Sequence, residues 1–309
     1  MLNGAQSEII LQVVKAEQKY KTTNNMIIGV DLGGTNIRAG IQKDGNLLYP
    51  KRELFNTQKS FQQTLAQLIE FIRPLVQPEV LGIGIGVPSV VDVENGIVFN
   101  VTNIPSWERV PLKEILEDEF GVSVSVNNDV NCFILGEHQF GLVKGMKNVV
   151  GVSSGTGLGS GIIINHQLFN GNNCGAGEIG LLNYLDHNIE YYASGNLFQA
   201  KYNTTAEEAH RLALKGDISA VCCWNEFGIH MAQAIKSVVL AYDPEAIVLG
   251  GSLSKAYVLF KNSMNASLLD FPFPESIKRL KIYQSQNENI TLLGAAALVS
   301  LNDSVPVKS

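Results

Sequence analysis

Apolar and polar positions along this chain alternate with a period of two in some stretches and recur at helical spacing in others, which predicts strands and helices in turn. Residues 26–31, MIIGVD, form a β run that stops at Gly33-Gly34-Thr35, and Ile37 to Ile41 begin a second strand toward a turn at Asp44-Gly45. About 120 residues later NVVGVSSGTGLGSGIIIN repeats the design: a β run to Val152, a loop from Gly155 through Gly161, then Ile162 to Ile164. The repetition suggests two related halves. Between them, residues 60–73 read as an amphipathic helix through Phe61, Leu65, Leu68, Ile69 and Ile72, ended by Pro74 and Pro78. Leu81 to Val87 alternates apolar residues with glycine, as a buried strand does when its backbone closely approaches something. A helix over 111–120, a strand from Val122 to Val126 and a helix capped by Asn127-Asn128-Asp129 follow.

The second half reads as mostly helical, near 190–201, 205–215 and 218–241. It closes with a strand from Ala246 to Leu249, the turn Gly250-Gly251-Ser252, a helix over 254–269, a strand over 280–284 and an apolar helix over 291–301. Ahead of everything, Ile9, Ile10, Val13 and Val14 suit one face of a short helix. No low-complexity linker interrupts the chain, so a domain boundary is expected inside the helix after Asp129. Strands alternating with helices predict an α/β architecture with mixed sheets.

Composition narrows the class. Charged residues make up 17% of the 309 against about 25% in an average domain, which fits a large buried core and two domains. No apolar run reaches membrane-spanning length. A net charge of −6 disfavours broad electrostatic binding to nucleic acid. The start of the chain has no basic, apolar leader, and the four cysteines, Cys132, Cys174, Cys222 and Cys223, form no C-x-x-C. The expectation is a reduced, cytoplasmic protein in which the adjacent Cys222 and Cys223 simply pack in a helix.

Candidate chemistry lies in the glycines. Loops whose backbone N–H groups converge with no Cβ in the way suit phosphate, and Gly33-Gly34-Thr35, the run from Gly155 and Gly250-Gly251-Ser252 each end a predicted strand. A Walker A loop is excluded, because the chain has no Gly-Lys pair. A dinucleotide fingerprint is disfavoured, because Gly155-Thr156-Gly157-Leu158-Gly159 has the wrong spacing and opens into a strand. Protein-kinase HRD and DFG signatures are absent.

DLGGT at 31–35, GVPSVVD at 86–92, NIPSW at 103–107, NND at 127–129, GTGLGSG at 155–161, GAGEIG at 175–180 and LGGSLS at 249–254 together resemble the ROK family of sugar kinases and repressors, over roughly residues 26 to 300. The resemblance implies an actin-like, RNase H-like ATPase fold: residues 26–130 with 290–309 as a small α/β domain, 131–289 as a large one, and ATP and sugar in the cleft between. It implies that Asp31, Gly33, Gly34 and Thr35 form the first phosphate loop and Thr156 with Gly157 the second, with Gly250, Gly251 and Ser252 near the adenosine and Mg²⁺ beside the phosphates. Asp129 matches the family's catalytic aspartate, the base that takes the sugar hydroxyl's proton; as plain structure it would be an N-cap. Asn103, Asp129, Glu178 and Glu190 match its sugar contacts.

The pattern breaks chiefly at one place, with Ser89, where a glycine is common after the Gly-Val-Pro, a smaller departure. Leu181 stands where many members have a His after GEIG, and LDHNI stands where they carry zinc-binding cysteines. A closed structural zinc site takes about four ligands, so no zinc is expected. The leading expectation is an ATP-dependent, glucokinase-like hexose kinase, with N-acetylmannosamine, fructose or a β-glucoside as other acceptors, and by the family's habit a homodimer. A sugar-responsive regulator is the runner-up, although a winged helix-turn-helix needs more chain than the 25 residues before MIIGVD. A non-catalytic sugar-binding or scaffold protein is the third.

Overall fold

A computed structural model describes residues 26–101 and 103–302, so the helix expected around Ile9 to Val14 lies outside the described residues. The chain runs through β1 (Met26–Leu32), β2 (Asn36–Lys43), β3 (Asn46–Leu54), α1 (Phe61–Ile72), β4 (Val80–Val87), β5 (Val90–Asp92), β6 (Ile97–Phe99), β7 (Arg109–Pro111), α2 (Leu112–Phe120), β8 (Ser123–Asn128) and α3 (Asp129–Phe140). It continues with β9 (Val149–Ser154), β10 (Leu158–Ile164), β11 (Gln167–Leu168), β12 (Asn183–Tyr184), β13 (His187–Asn188), α4 (Ile189–Ala193), α5 (Gly195–Tyr202), α6 (Ala206–Ala213) and α7 (Ile218–Tyr242). Last come β14 (Ala246–Gly250), α8 (Tyr257–Leu268), α9 (Pro274–Arg279), β15 (Lys281–Gln284) and α10 (Ile290–Asn302). Among the described residues no helix is long and apolar enough to cross a membrane.

Two five-stranded sheets organise the molecule, in the orders β3-β2-β1-β4-β8 and β11-β10-β9-β14-β15. The plan is the same in both. Antiparallel pairs link the first three strands, and the next two add in parallel: β1 with β4 and β4 with β8, then β9 with β14 and β14 with β15. The duplication read from two glycine turns is therefore a duplication of whole sheets. Each sheet has its own core, the first built around Trp107, Ile83, Ile85 and Leu116, the second around Trp224, Phe198, Phe227 and Phe260.

The glycine alternation of β4 has a direct cause. A strand sends successive side chains to opposite faces, so Ile83, Ile85 and Val87 enter the first core while Gly82, Gly84 and Gly86 share the other face. There α10 and α3 lie against the backbone: a Cβ on Gly84 would stand 1.7 Å from the Ala295 carbonyl oxygen, and one on Gly86 3.1 Å from Cys132 Sγ. Helix α3 serves both sheets by face. Cys132 and Leu135 pack with Ala295 and Leu298 of α10, while Phe133 and Ile134 pack with Val149 and Val248 of the second sheet.

Several expectations need correction. The glycine run from Gly155 through Gly161 is not one loop: only Gly155-Thr156-Gly157 turns, because Leu158 already pairs with Ser154, and Gly161 serves close packing on the Val130 carbonyl. The helix near 190–201 is two, since Ser194 is extended and its hydroxyl accepts from the Asn196 amide to start α5. Pro74 does not end the chain's helical path, which passes through it in a 3₁₀ turn over Arg73–Leu75. The helix expected over 254–269 begins with another such turn, Ser252–Ala256. Cys223 is buried, but Cys222 is exposed rather than packed.

Candidate active site

Some of the groups singled out in the sequence line a gap between the two sheets, whereas Gly33, Gly34, Thr35, Asn103, Thr156, Gly157, Glu178 and Glu190 are not among its lining residues. A cleft of about 610 Å³ is lined by Asp31 at the end of β1, Asp129 at the start of α3, and Gly250, Gly251 and Ser252 after β14, with β15 and the run into α10 forming the far wall. The first glycine turn is held by a hydrogen bond from the Gly33 amide to the Asn36 carbonyl, 2.9 Å. Gly34 lies under the Asn103 side chain, with room for no Cβ between them. The second turn is closed from the Gly155 amide to the Gly157 carbonyl, 2.9 Å. A Cβ on Gly155 would stand 3.3 Å from Ser252 Oγ, so the second and third glycine turns are neighbours. Thr35 and Thr156 are exposed at the tips.

Asn128, not Asp129, caps α3: its Oδ1 accepts from the amides of Val130, 2.8 Å, and Asn131, 3.4 Å. The capping role is thereby filled by Asn128, and the Asp129 carboxyl, whose Oδ1 also accepts from the Val130 amide at 2.9 Å, lines the cleft. Burial pushes that carboxyl up to about 7, with the negative charges of Asp31 and Glu178 adding to the effect against a hydrogen bond from the Val130 amide. A helix N-terminus favours an anion, so here desolvation outweighs it. Asp129 is consequently poised between acid and carboxylate near neutral pH.

Glu178 follows the left-handed Gly177, and loss of solvent around its carboxyl, then the charge of Glu190, push it above the usual carboxylate range. Glu190 begins α4 and accepts from the Leu158 amide through Oε2, 2.8 Å; the same oxygen would meet a Cβ on Gly157 at 2.8 Å. It is thus tied to the second glycine turn rather than being a free surface acid. It also lines a smaller hollow of about 360 Å³ with Leu181, Asn183 and His187, outside the main cleft. Leu181 is exposed there.

Arg38 was not singled out in the sequence. Hairpin register sets it directly opposite Asp31, and its Nε and Nη2 donate to Asp31 Oδ2 at 3.0 and 2.6 Å. Given a turn at 33–36, that pairing follows from counting back along the two strands. Arg52, Lys255 and Glu288 also line the cleft; they carried no signal, being isolated charges in polar stretches.

Magnesium commonly rests on one or two carboxylates together with substrate phosphates, and Asp31 is a donor of that kind at the cleft wall. Among the described residues no group of three or more His, Cys, Asp or Glu is arranged to hold a metal ion. Cys174 is buried against Asn127 and Asn131, and His187 stacks on Tyr191 with ring centroids 3.9 Å apart.

The model of the ROK family matches residues 27–301. A glucokinase of Thermotoga maritima is 26% identical over 88% of this chain and 96% of its own. One from Streptomyces coelicolor is 32% identical over 74% and 82%. A xylose repressor of Bacillus spizizenii is 27% identical over 71% of this chain and 61% of its own. Among solved structures, a ROK family glucokinase from Streptomyces griseus in complex with glucose and AMPPNP superposes with a TM-score of 0.77 at 25% identity, covering 89% of this chain and 99% of that one.

Proposed function

From the premise that the chain belongs to the ROK family and has its actin-like, RNase H-like fold, we propose that it is a sugar kinase that transfers the terminal phosphoryl group of ATP to a hexose hydroxyl. Asp129 carries this reading. It is a carboxyl on the residue after the helix cap, lining a cleft between two sheets, with its pKa raised to about 7. A base that must take a proton from a sugar hydroxyl works best with a pKa near the operating pH.

Phosphoryl transfer asks the protein mainly for in-line positioning and for neutralisation of charge on the phosphate oxygens. Backbone amides of the turns at Gly33-Gly34-Thr35 and Thr156-Gly157 would face the phosphates, and Gly250, Gly251 and Ser252 would line the nucleoside end. Mg²⁺, held by Asp31 with the phosphates, would supply further neutralisation. Asn103, Glu178 and Glu190 would accept from or donate to the ring hydroxyls, with the Glu178 carboxyl raised from its ordinary value by loss of solvent and the charge of Glu190. In this reading residues 26–130 with the C-terminal helix form one domain and 131–289 the other.

The test is ADP release from ATP and Mg²⁺ with a panel of glucose, fructose, N-acetylmannosamine and β-glucosides. Turnover on one or more is expected, and turnover on none would overturn the reading. The likeness to a xylose repressor favours a second reading, a sugar-responsive regulator. Saturable sugar binding with no ADP release would select it.

A further inference from the structure

The cleft lining carries three cationic side chains, Arg38, Arg52 and Lys255, against three anionic ones, Asp31, Asp129 and Glu288. Its formal charge is therefore balanced, a poor start for a ligand as anionic as a nucleoside polyphosphate. Two of the cations converge on one residue from opposite sides. Arg38 of the first sheet donates from Nη1 to the Glu288 backbone carbonyl at 2.8 Å. Lys255, in the 3₁₀ turn after β14, reaches Glu288 Oε1 at 2.8 Å.

The two contacts differ in how readily they can be exchanged. Arg38 is also fixed on Asp31. The Lys255–Glu288 pair is 65% and 75% exposed, and pairs that open contribute about 0–1 kcal/mol. Lys255 is thus held loosely, on a flexible stem, at the rim of the cleft, and through Glu288 it stands beside Arg38 and Asp31, at the end where the phosphates would lie. A phosphate chain carries more charge than one carboxylate and offers several acceptor oxygens, so it would win Lys255 from Glu288.

We propose that Lys255 is a nucleotide-phosphate contact and that Glu288 is its built-in competitor, setting nucleotide affinity without touching the sugar. This rests on the kinase reading. Titration calorimetry with ADP, AMPPNP and adenosine on the full chain tests it, and exposure of both residues makes the variants safe for folding. Glu288→Gln keeps the backbone carbonyl for Arg38 and removes the competing charge, so ADP and AMPPNP bind about three- to tenfold tighter, while adenosine affinity stays as it was. Lys255→Met weakens ADP and AMPPNP by about tenfold, and adding Glu288→Gln to it brings no recovery. Unchanged or weaker ADP binding in Glu288→Gln, on a wild type that binds ADP, overturns this proposal alone. Equal gains for adenosine overturn it too, since Glu288 would then act on the nucleoside. A wild type that binds none of the three overturns the kinase reading and the proposal with it.

Discussion

Asp129 carries two consequences of opposite sense. As the base of the proposed kinase it must be a carboxylate, so kcat/KM for sugar is expected to rise with pH through about 7 and level off above. A profile flat from about pH 5 to 8 removes it from that role. In the same proposal Asp129→Asn is expected to retain sugar binding and lose at least about a hundredfold in kcat. For stability the sign reverses. The folded-state pKa of about 7 lies above the ordinary carboxylate value near ~3.9, so the stabilising contribution is full below the lower value and is lost as pH rises through the upper one. Asp129→Asn removes a charge that the fold does not favour, so the variant's advantage in thermal or urea unfolding widens from about pH 5 to 8, by up to ~3 kcal/mol. A constant gap would mean that the carboxyl titrates normally. The sequence exposed this residue through its position after a strand, but not the reason its pKa is shifted. That needed Asp31 and Glu178, 98 and 49 positions away, brought near by the fold.

Elements were legible where a local rule repeats. The glycine alternation of β4 announced a close backbone approach, and α10 is what approaches. What escaped detection were short pieces whose pairing is settled only by partners: β5, β6 and β7, three residues each, form their own small sheet, and β3 has a mixed polar face. The close contacts yield a test. Replacing a glycine inside a helix with alanine normally stabilises by about 1 kcal/mol. At Gly294 of α10 a Cβ would stand 1.8 Å from the Cys132 carbonyl oxygen of α3, so one helix must move off the other. Overpacking of this kind costs about 1–3 kcal/mol, and Gly294→Ala is expected to lower Tm by several degrees. An unchanged or raised Tm would show that the two helices have slack.

At the scale of the molecule, the same two helices decide whether the halves unfold separately. Chains above about 150 residues with more than one core commonly depart from two-state behaviour. Here Ile134 of α3 and Ile290 and Leu293 of α10 share a cluster with the second sheet, while Val299 and Ala296 of α10 pack on Ile27 of the first. At about 1.5–3 kcal/mol for each large buried side chain, the shared layer is comparable with the ~5–15 kcal/mol stability of a whole domain. Neither half can therefore come apart without taking most of the other's margin. The two tryptophans are placed to check this, Trp107 in the first core and Trp224 in the second. Trp107→Phe leaves a fluorophore only in the second core, and Trp224→Phe leaves one only in the first. Trp107 donates to Thr64 Oγ1 at 2.8 Å, so its loss costs about 1 kcal/mol, whereas Trp224 Nε1 has no partner among the described residues. In each variant the urea midpoint from fluorescence should coincide with that from circular dichroism of the whole chain. Midpoints that separate within either variant would mean that the helical layer joins the halves in space but not in energy.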